Sequence, residues 1–226
     1  MITLHHLNNS RSQRILWLLE ELNLDYKIQQ YKRDSETNLA PASLKSVHPL
    51  GKSPIITDGN ITVAESGAII EYLISTYGSK LDEEQLTHPT AGTSSHWQFI
   101  YWLHFAEGTL MPPLVAKLVL DKAREKAKPW FVKIIANKIA DKLMDAYYGP
   151  IIKTNMQFIE QHLAKNKWFA GEKLTGADIQ MSFPLEAAVA RGAAADLPNV
   201  TRFVKAIHAR SAYQQALIKG GQYDYG

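Results

Sequence analysis

Apolar positions in the first third of the chain repeat with two different periods. Ile2-Thr3-Leu4-His5-His6-Leu7 reads as a short strand and gives way to the polar run Asn8-Asn9-Ser10-Arg11-Ser12. From Ser12 onward, Ile15, Leu16, Leu18, Leu19 and Leu22 supply the buried stripe of a helix. Asp25 to Tyr31, Pro54 to Asp58 and Ile61 to Glu65 read as further strands, the last two joined by the hairpin signal Asp58-Gly59-Asn60. A helix then runs from about Ser66 to Tyr77 with Ala68, Ile69, Tyr72, Leu73 and Ile74 inward. Strand, helix, strand followed by strand, strand, helix predicts a mixed sheet covered by helices.

After Gly78 the pattern changes, because the stretch to Gly92 carries charge, glycine and proline without a clear period. The expected organisation is a first domain over 1–80, a linker over 81–90 and a second domain over 91–226. No alternating strand pattern appears beyond Thr93, and the apolar spacing there predicts an all-helical second half. Val115 to Gly149 reads as two amphipathic helices broken near Pro129, with lysines interleaved among apolar residues. A solvated helix face explains those lysines most simply; a weak field steering an anionic substrate is the functional alternative.

Bulk composition narrows the function classes. A length of 226 residues, 46% of them hydrophobic, is enough to bury one or two real cores. Twenty-five basic against 22 acidic residues leave a formal net charge of +3, too little for the concentrated basic face that nucleic acid demands. The N-terminal residues have no signal-peptide pattern, and no run of about eighteen apolar residues suits a membrane span, so a cytoplasmic protein with neither nucleic acid nor membrane as partner is expected. With no cysteine, disulfides, thiolate metal sites and protein-thiol nucleophiles are excluded. Any thiol chemistry must use the sulfur of a ligand.

Two segments are chemically suggestive. The N-terminus of the first helix offers unpaired backbone N–H groups and partial positive charge, so the loop before it suits an anion, and Ser10 sits at its mouth. Ser10 is in no G-x-S-x-G elbow and is better suited to donate a hydrogen bond than to attack. A thiolate there would be favoured over the thiol, each unit of pKa lowering corresponding to about 1.36 kcal/mol. Plain capping by Ser10 or Ser12 is the competing reading. In the second segment, His48 to Leu73, a cis bond at Ser53-Pro54 would leave the backbone of Ser53 free to pair with a peptide. Glu65-Ser66-Gly67 adds a carboxylate, a hydroxyl and helix-start N–H groups able to grip an amino-acid end group, or simply an N-cap at a strand end.

Together these segments resemble the glutathione-binding domain of cytosolic glutathione S-transferases, and the likeness in length and plan covers the whole chain. Its most specific part is Pro49-Leu50-Gly51-Lys52-Ser53-Pro54, the short hairpin, and Glu65-Ser66 followed by an apolar helix. The resemblance implies an α/β thioredoxin-like N-terminal domain, an all-α C-terminal domain, a homodimer and no metal. It further implies glutathione as co-substrate, conjugated to hydrophobic electrophiles in detoxification. Similarity to serine-type bacterial and fungal members implies Ser10, four residues before Arg14, as the catalytic residue, with Asn9 and Arg11 flanking it. By the same matching Glu65 and Ser66 would hold the γ-glutamyl group, the Ser53-Pro54 backbone the cysteinyl part, and Lys52 the glycyl carboxylate. Several serine-type members place a histidine-lysine pair where this chain reads Leu39-Ala40-Pro41, which leaves Lys45 or His48 as substitutes, or as ordinary loop cations.

For the second substrate, Trp97, Tyr101, His104, Phe105 and Gly108 share one helical stripe expected to face the first domain, with Tyr101, His104 and Phe105 as pocket residues. Ordinary core packing is the alternative for Trp97 and Phe105. Thr175 and Asp178, three apart, form a capping-box pattern assigned to folding. The C-terminal Gly-Gly-Gln-Tyr-Asp-Tyr-Gly either folds over the site or frays. Two other functions remain open: a non-catalytic glutathione- or ligand-binding regulatory protein of the same fold, and a glutathione-dependent peroxidase or isomerase.

Overall fold

The structure, a computed structural model, describes residues 1–37, 39–78 and 86–226. The end of the expected first domain at 80 and half of the expected 81–90 linker lie outside the described residues.

β1 (Ile2–Leu7) sits inside a four-stranded sheet of order β2-β1-β3-β4, parallel to β2 (Tyr26–Tyr31) and antiparallel to β3 (Ile55–Asp58), which pairs antiparallel with β4 (Ile61–Ala64). A central strand is covered on both faces, and five of the six β1 residues are accordingly buried, His5 and His6 included. α1 (Ser12–Glu21) supplies the crossover to β2, and α2 (Ser66–Tyr77) follows β4. Between β2 and β3 the described chain forms one 3₁₀ turn, Ala42–Ser46. This is the thioredoxin-like plan expected. Glu65, read from the sequence as the end of the fourth strand, instead precedes α2 with φ +71°, ending the ladder at Ala64.

The rest is helical: α3 (Ser94–Phe105), α4 (Met111–Lys126), α5 (Trp130–Leu143), α6 (Gly149–Leu163), α7 (Gly176–Ala190), α8 (Pro198–His208) and α9 (Ser211–Gly220). π-turns at Ala106–Leu110 and Met144–Tyr148 join α3 to α4 and α5 to α6 into two long bent rods. The break near Pro129 falls where the sequence predicts it, between α4 and α5.

α7 is the axis of the molecule. It has no polar stripe because its residues from Gly176 to Glu186 are buried all round, and it packs against α1, α2, α3 and α8. Gly176 is needed at its start: a Cβ there would lie 2.5 Å from Ile70 Cγ2 and 2.8 Å from Ile74 Cδ1, so the backbone of α7 touches α2 directly. One apolar core results, running from Leu16, Leu19 and Leu73 in the first half to Trp102, Ile179 and Phe203 in the second. The two halves are therefore held at fixed positions on either side of the loop that follows β1.

Candidate functional site

Strand register gathers the suggestive segments at one end of the sheet. His5 pairs with Ile55, and Ile55 pairs with Ala64. The loop after β1, the Ser53-Pro54 step before β3 and the Glu65-Ser66 step after β4 therefore leave the same edge of adjacent strands. Residues separated by more than fifty positions become neighbours through two short pairings.

The loop after β1 is tightly bonded. Asn9 adopts φ +48°, which asparagine tolerates better than most side chains. Arg33 fastens this loop from the end of β2, donating through Nε to Asn8 O (3.2 Å) and through Nη2 to Asn9 O (3.1 Å). Ser10 is 5% exposed; its Oγ donates to Leu7 O (2.8 Å) and accepts from Ser12 N–H (3.2 Å). Ser12 Oγ lies 2.8 Å from Ser10 Oγ and 2.9 Å from His6 Nδ1. Burial lowers the pKa of His6, against a raising bond to the Gly220 backbone, so the ring is neutral near pH 7 and Ser12 can donate to it. Of the two serines that the sequence allowed as caps, Ser10 accepts an N–H of the first turn of α1, whereas Ser12 turns its hydroxyl back to β1, and Ser10 is the outermost hydroxyl of a chain that ends on His6.

Ser66 heads α2 and is buried, and its hydroxyl accepts a hydrogen bond from Arg14 Nη2. Arg14, also buried, donates from Nη1 to Gln180 O (2.6 Å) and from Nη2 to Glu107 Oε1 (2.6 Å), while Arg11 Nε reaches both oxygens of Glu107 (2.8 and 3.0 Å). Burial alone would raise the Glu107 pKa, but the two guanidiniums outweigh it and hold the carboxyl below its usual range. Sequence reasoning used Arg14 only as a reference point and missed Glu107 and Gln180. A buried arginine on a helix demands a partner, yet nothing in the sequence points to an acid 93 positions away. Gln180 presents an unpartnered, buried Oε1, and its Nε2 lies 3.6 Å from where a Cβ on Gly67 would stand, beside the start of α2.

The Ser53-Pro54 peptide is cis, and Ser53 precedes the first ladder pair of β3. Its hydroxyl donates to His5 O (3.0 Å). Lys52 is exposed next to it, and Lys45 folds over Gly51, its Cγ 2.8 Å from the position a Gly51 Cβ would take. Two lysines consequently stand at this corner.

A cleft of about 430 Å³ opens beside the loop, within the range that accepts a small organic ligand. Asn9 and Arg11 line it, whereas Ser10 sits just behind them. Its apolar wall is Met111, Leu114, Leu118 and Phe183, from α4 and α7. The C-terminal tail closes one side: Asn9 Nδ2 donates to Asp224 Oδ2 (2.8 Å), Asp224 N–H to Asn9 Oδ1 (3.0 Å), and Tyr223 OH to Glu186 Oε2 (2.7 Å). The tail therefore folds over the site.

The expected pocket stripe is misplaced. Tyr101 and His104 are exposed, Tyr101 at 45%, and Phe105 is buried against Trp102 and Phe158, none of them lining the cleft. The residues of this rod that meet the cleft begin at Met111, beyond the π-turn at Ala106–Leu110, while Tyr101 and Phe105 pack against Phe158 of α6.

A thioredoxin-like sheet whose edge gathers a bonded serine, a cis-proline step and a Glu-Ser helix start, set against a helical domain with a cleft between, defines the architecture of a glutathione-dependent transferase. Comparison with known proteins agrees. Family models match twice, "Glutathione S-transferase, N-terminal domain" over residues 1–75 and "Glutathione S-transferase, C-terminal domain" over 149–211. The chain is 37% identical to glutathione S-transferase 1 of Saccharomyces cerevisiae, over 94% of this chain and 92% of that protein. It is 38% identical to glutathione S-transferase 3 of Schizosaccharomyces pombe, over 97% and 88%. A crystal structure of a glutathione S-transferase from Actinobacillus pleuropneumoniae superposes with a TM-score of 0.81 at 34% identity, covering 100% of this chain and 95% of that one. The chain belongs to the glutathione S-transferase family, enzymes whose co-substrate is glutathione. Among the described residues no group of three or more His, Asp or Glu is placed to hold a metal, and no helix is long and apolar enough to cross a membrane.

Proposed function

We propose that this chain conjugates glutathione to an electrophile bound in the cleft, with Ser10 holding the sulfur as thiolate. The observation that carries this reading is the convergence of the loop that holds Ser10, the Ser53-Pro54 step and the Glu65-Ser66 step at one end of the sheet, with Asn9 and Arg11 of that loop lining the cleft. Glutathione would pair with the backbone of Ser53 and Pro54, place its γ-glutamyl end on Glu65 and Ser66, and its glycyl carboxylate near Lys52 and Lys45. To serve sulfur, the Ser10 hydroxyl redirects its proton away from Leu7 O while its oxygen keeps the Ser12 N–H. The thiol proton leaves to solvent, the thiolate forms the carbon–sulfur bond, and the leaving group departs with the electron pair of the bond it breaks. Lowering a thiol pKa from about 8.5 to below 7 turns a few per cent of thiolate into the major form at neutral pH.

One observation favours a second reading. Ser10 is 95% buried and already bonded, as a purely structural cap would be. A glutathione-binding protein without turnover would look the same. Titrating the 240 nm absorbance of bound glutathione in the wild type and in Ser10→Ala separates the two. A lowered thiol pKa that rises in the variant supports activation; an unshifted pKa with intact binding supports the non-catalytic reading.

The cytoplasmic homodimer belongs to the same proposal. Trp97 and Tyr101 on α3 and Trp130, Phe131, Ile135 and Ile139 on α5 are exposed, large apolar side chains of the kind that a subunit contact covers. Sedimentation of the intact protein at micromolar concentration is expected to give twice the 25.4 kDa chain mass, and a monomer there would refute it.

A further inference from the structure

The cleft wall is cationic to a degree that a site for neutral electrophiles does not require. Arg11, Arg33, Lys117, Lys122 and Arg191 line it, against one lining carboxylate, Asp224. Some of this charge is compensated: Arg11 is paired with Glu107 and Lys117 with Asp121. Arg191 and Lys122 show no such carboxylate among the described residues: Arg191 donates to the Tyr225 hydroxyl (2.8 Å), and Lys122 is half-buried with no salt bridge. Hydrogen bonds to neutral acceptors orient a cation without cancelling its charge. Asp224, whose carboxylate accepts from the neutral Asn9 amide, keeps its charge and offsets one of the lining cations.

The cations are arranged around flat apolar surfaces. The Arg11 guanidinium lies 5.3 Å from the Phe183 ring centre, and that of Arg191 lies 5.5 Å from the centre of Tyr225, whose ring meets Phe183 edge-on. With Nη2 on the Tyr225 hydroxyl, the Arg191 guanidinium has other N–H groups to offer an oxyanion. Met111, Leu114 and Leu118 supply the opposite wall.

We infer that the cleft takes an organic anion: a flat apolar electrophile that carries a carboxylate, its ring against Phe183 and the α4 wall and its charge toward Arg191 and Lys122. The word electrophile rests on the conjugation reading above; the preference for an anion is a property of the cleft and is tested without turnover. The lysine-rich α4, which sequence alone reads as a solvated face or a steering field, acquires by this inference a defined target.

The test is calorimetric titration with 3,5-dinitrobenzoate and with 1,3-dinitrobenzene, an unreactive pair of similar shape, in the presence and absence of saturating S-methylglutathione. The benzoate is expected to bind at least fivefold tighter, to keep that preference with S-methylglutathione bound, and to lose most of it between about 20 and 300 mM salt. Lys122→Gln and Arg191→Gln are each expected to weaken the benzoate about two- to fivefold and the neutral compound less than twofold. Equal affinities for the pair overturn the inference. So does mutual displacement of the benzoate and S-methylglutathione, which would assign the anion to a carboxylate subsite of glutathione. Turnover of 1-chloro-2,4-dinitrobenzene and 4-chloro-3,5-dinitrobenzoate is assayed on the same preparations: absence of both reactions with the binding preference intact defeats the conjugation reading alone.

Discussion

Glu107 and Asp178 are both acids that the helical half turns inward, and their surroundings drive them in opposite directions. Glu107, at the π-turn between α3 and α4, meets two full cations, Arg11 and Arg14, and stays ionised below its usual range despite burial. Asp178, in the first turn of α7, is completely buried and accepts from the Phe169 N–H (2.8 Å), the Thr175 N–H (2.8 Å) and the Thr175 hydroxyl (3.0 Å). Burial pushes its carboxyl up to about 6, and those neutral donors only partly oppose it. Neutral dipoles suffice to close a capping box; an arginine shared between the serine that heads α2 and the opposite domain is met by a carboxylate. The charged cluster lies at the site, and the neutral one lies under the fold.

The largest effect follows from breaking the charged cluster. Arg14→Met keeps much of the volume but leaves Glu107 without one cation and removes the donors to Gln180 O and Ser66. Stability to urea is expected to fall by about 3 kcal/mol or more, with weaker glutathione binding because Ser66 loses its anchor. A loss under 1 kcal/mol would show that the cluster is not what holds the halves together.

Asp178→Ala breaks the neutral cluster. It removes a cap, worth about 0.5–2 kcal/mol, and leaves buried N–H groups of Phe169 and Thr175 without acceptors, so a loss of about 2–4 kcal/mol is expected. Glutathione affinity of the folded protein should not change. A selective loss of affinity at unchanged stability would reverse the division between site and scaffold.

The pH dependence sharpens the contrast because its signs are opposite. The folded pKa of Asp178 is raised, from about 3.8 to about 6, so its contribution is full below 3.8 and is lost as pH rises through 6. The stability gap between wild type and Asp178→Asn should therefore narrow from pH 4 to pH 6. The folded pKa of Glu107 is depressed, so its contribution is present above about 4.5 and lost as pH falls through the lower folded value. The gap to Glu107→Gln should shrink on acidification instead. Gaps moving in the same direction would mean that the two carboxyls share one environment.

The same contrast explains what the sequence made legible. The capping box is local, spanning four residues, and is legible in the sequence; so are the four strands, the Ser53-Pro54 step and the break at Pro129. The Arg14–Glu107 pair crosses 93 positions and is fixed by how α1 docks on the π-turn, a tertiary fact with no periodic signature. The pocket stripe is a related case: a period of 3.6 places Trp97, Tyr101, His104 and Phe105 on one face of α3 but does not say which neighbour that face meets, and Tyr101 and Phe105 meet Phe158 of α6. Glu65 was misread as strand because the sequence does not announce a positive φ at a glutamate. Ser10 lies between these cases: its place in the loop before α1 is legible in the local sequence, while its role is what the titration of bound glutathione tests.

The smallest effect concerns a third acid, Asp224, which is exposed and neither buried like Asp178 nor ion-paired like Glu107. It accepts from Asn9 and faces the cationic cleft. Asp224→Asn preserves the shape and can keep the bond to Asn9 through its amide oxygen, so stability should move by less than about 0.5 kcal/mol. It removes, however, the one carboxylate lining a wall that holds five cations. Affinity for 3,5-dinitrobenzoate should then rise about twofold while that for 1,3-dinitrobenzene stays put, a shift on the scale of one partly screened charge. If the benzoate gains nothing, the cations beside Asp224 are already balanced by the pairs with Glu107 and Asp121, and the cleft selects its ligand by shape alone. If the stability falls by more than 1 kcal/mol, the tail is a structural strap, and Asp224 joins Asp178 on the side of the scaffold.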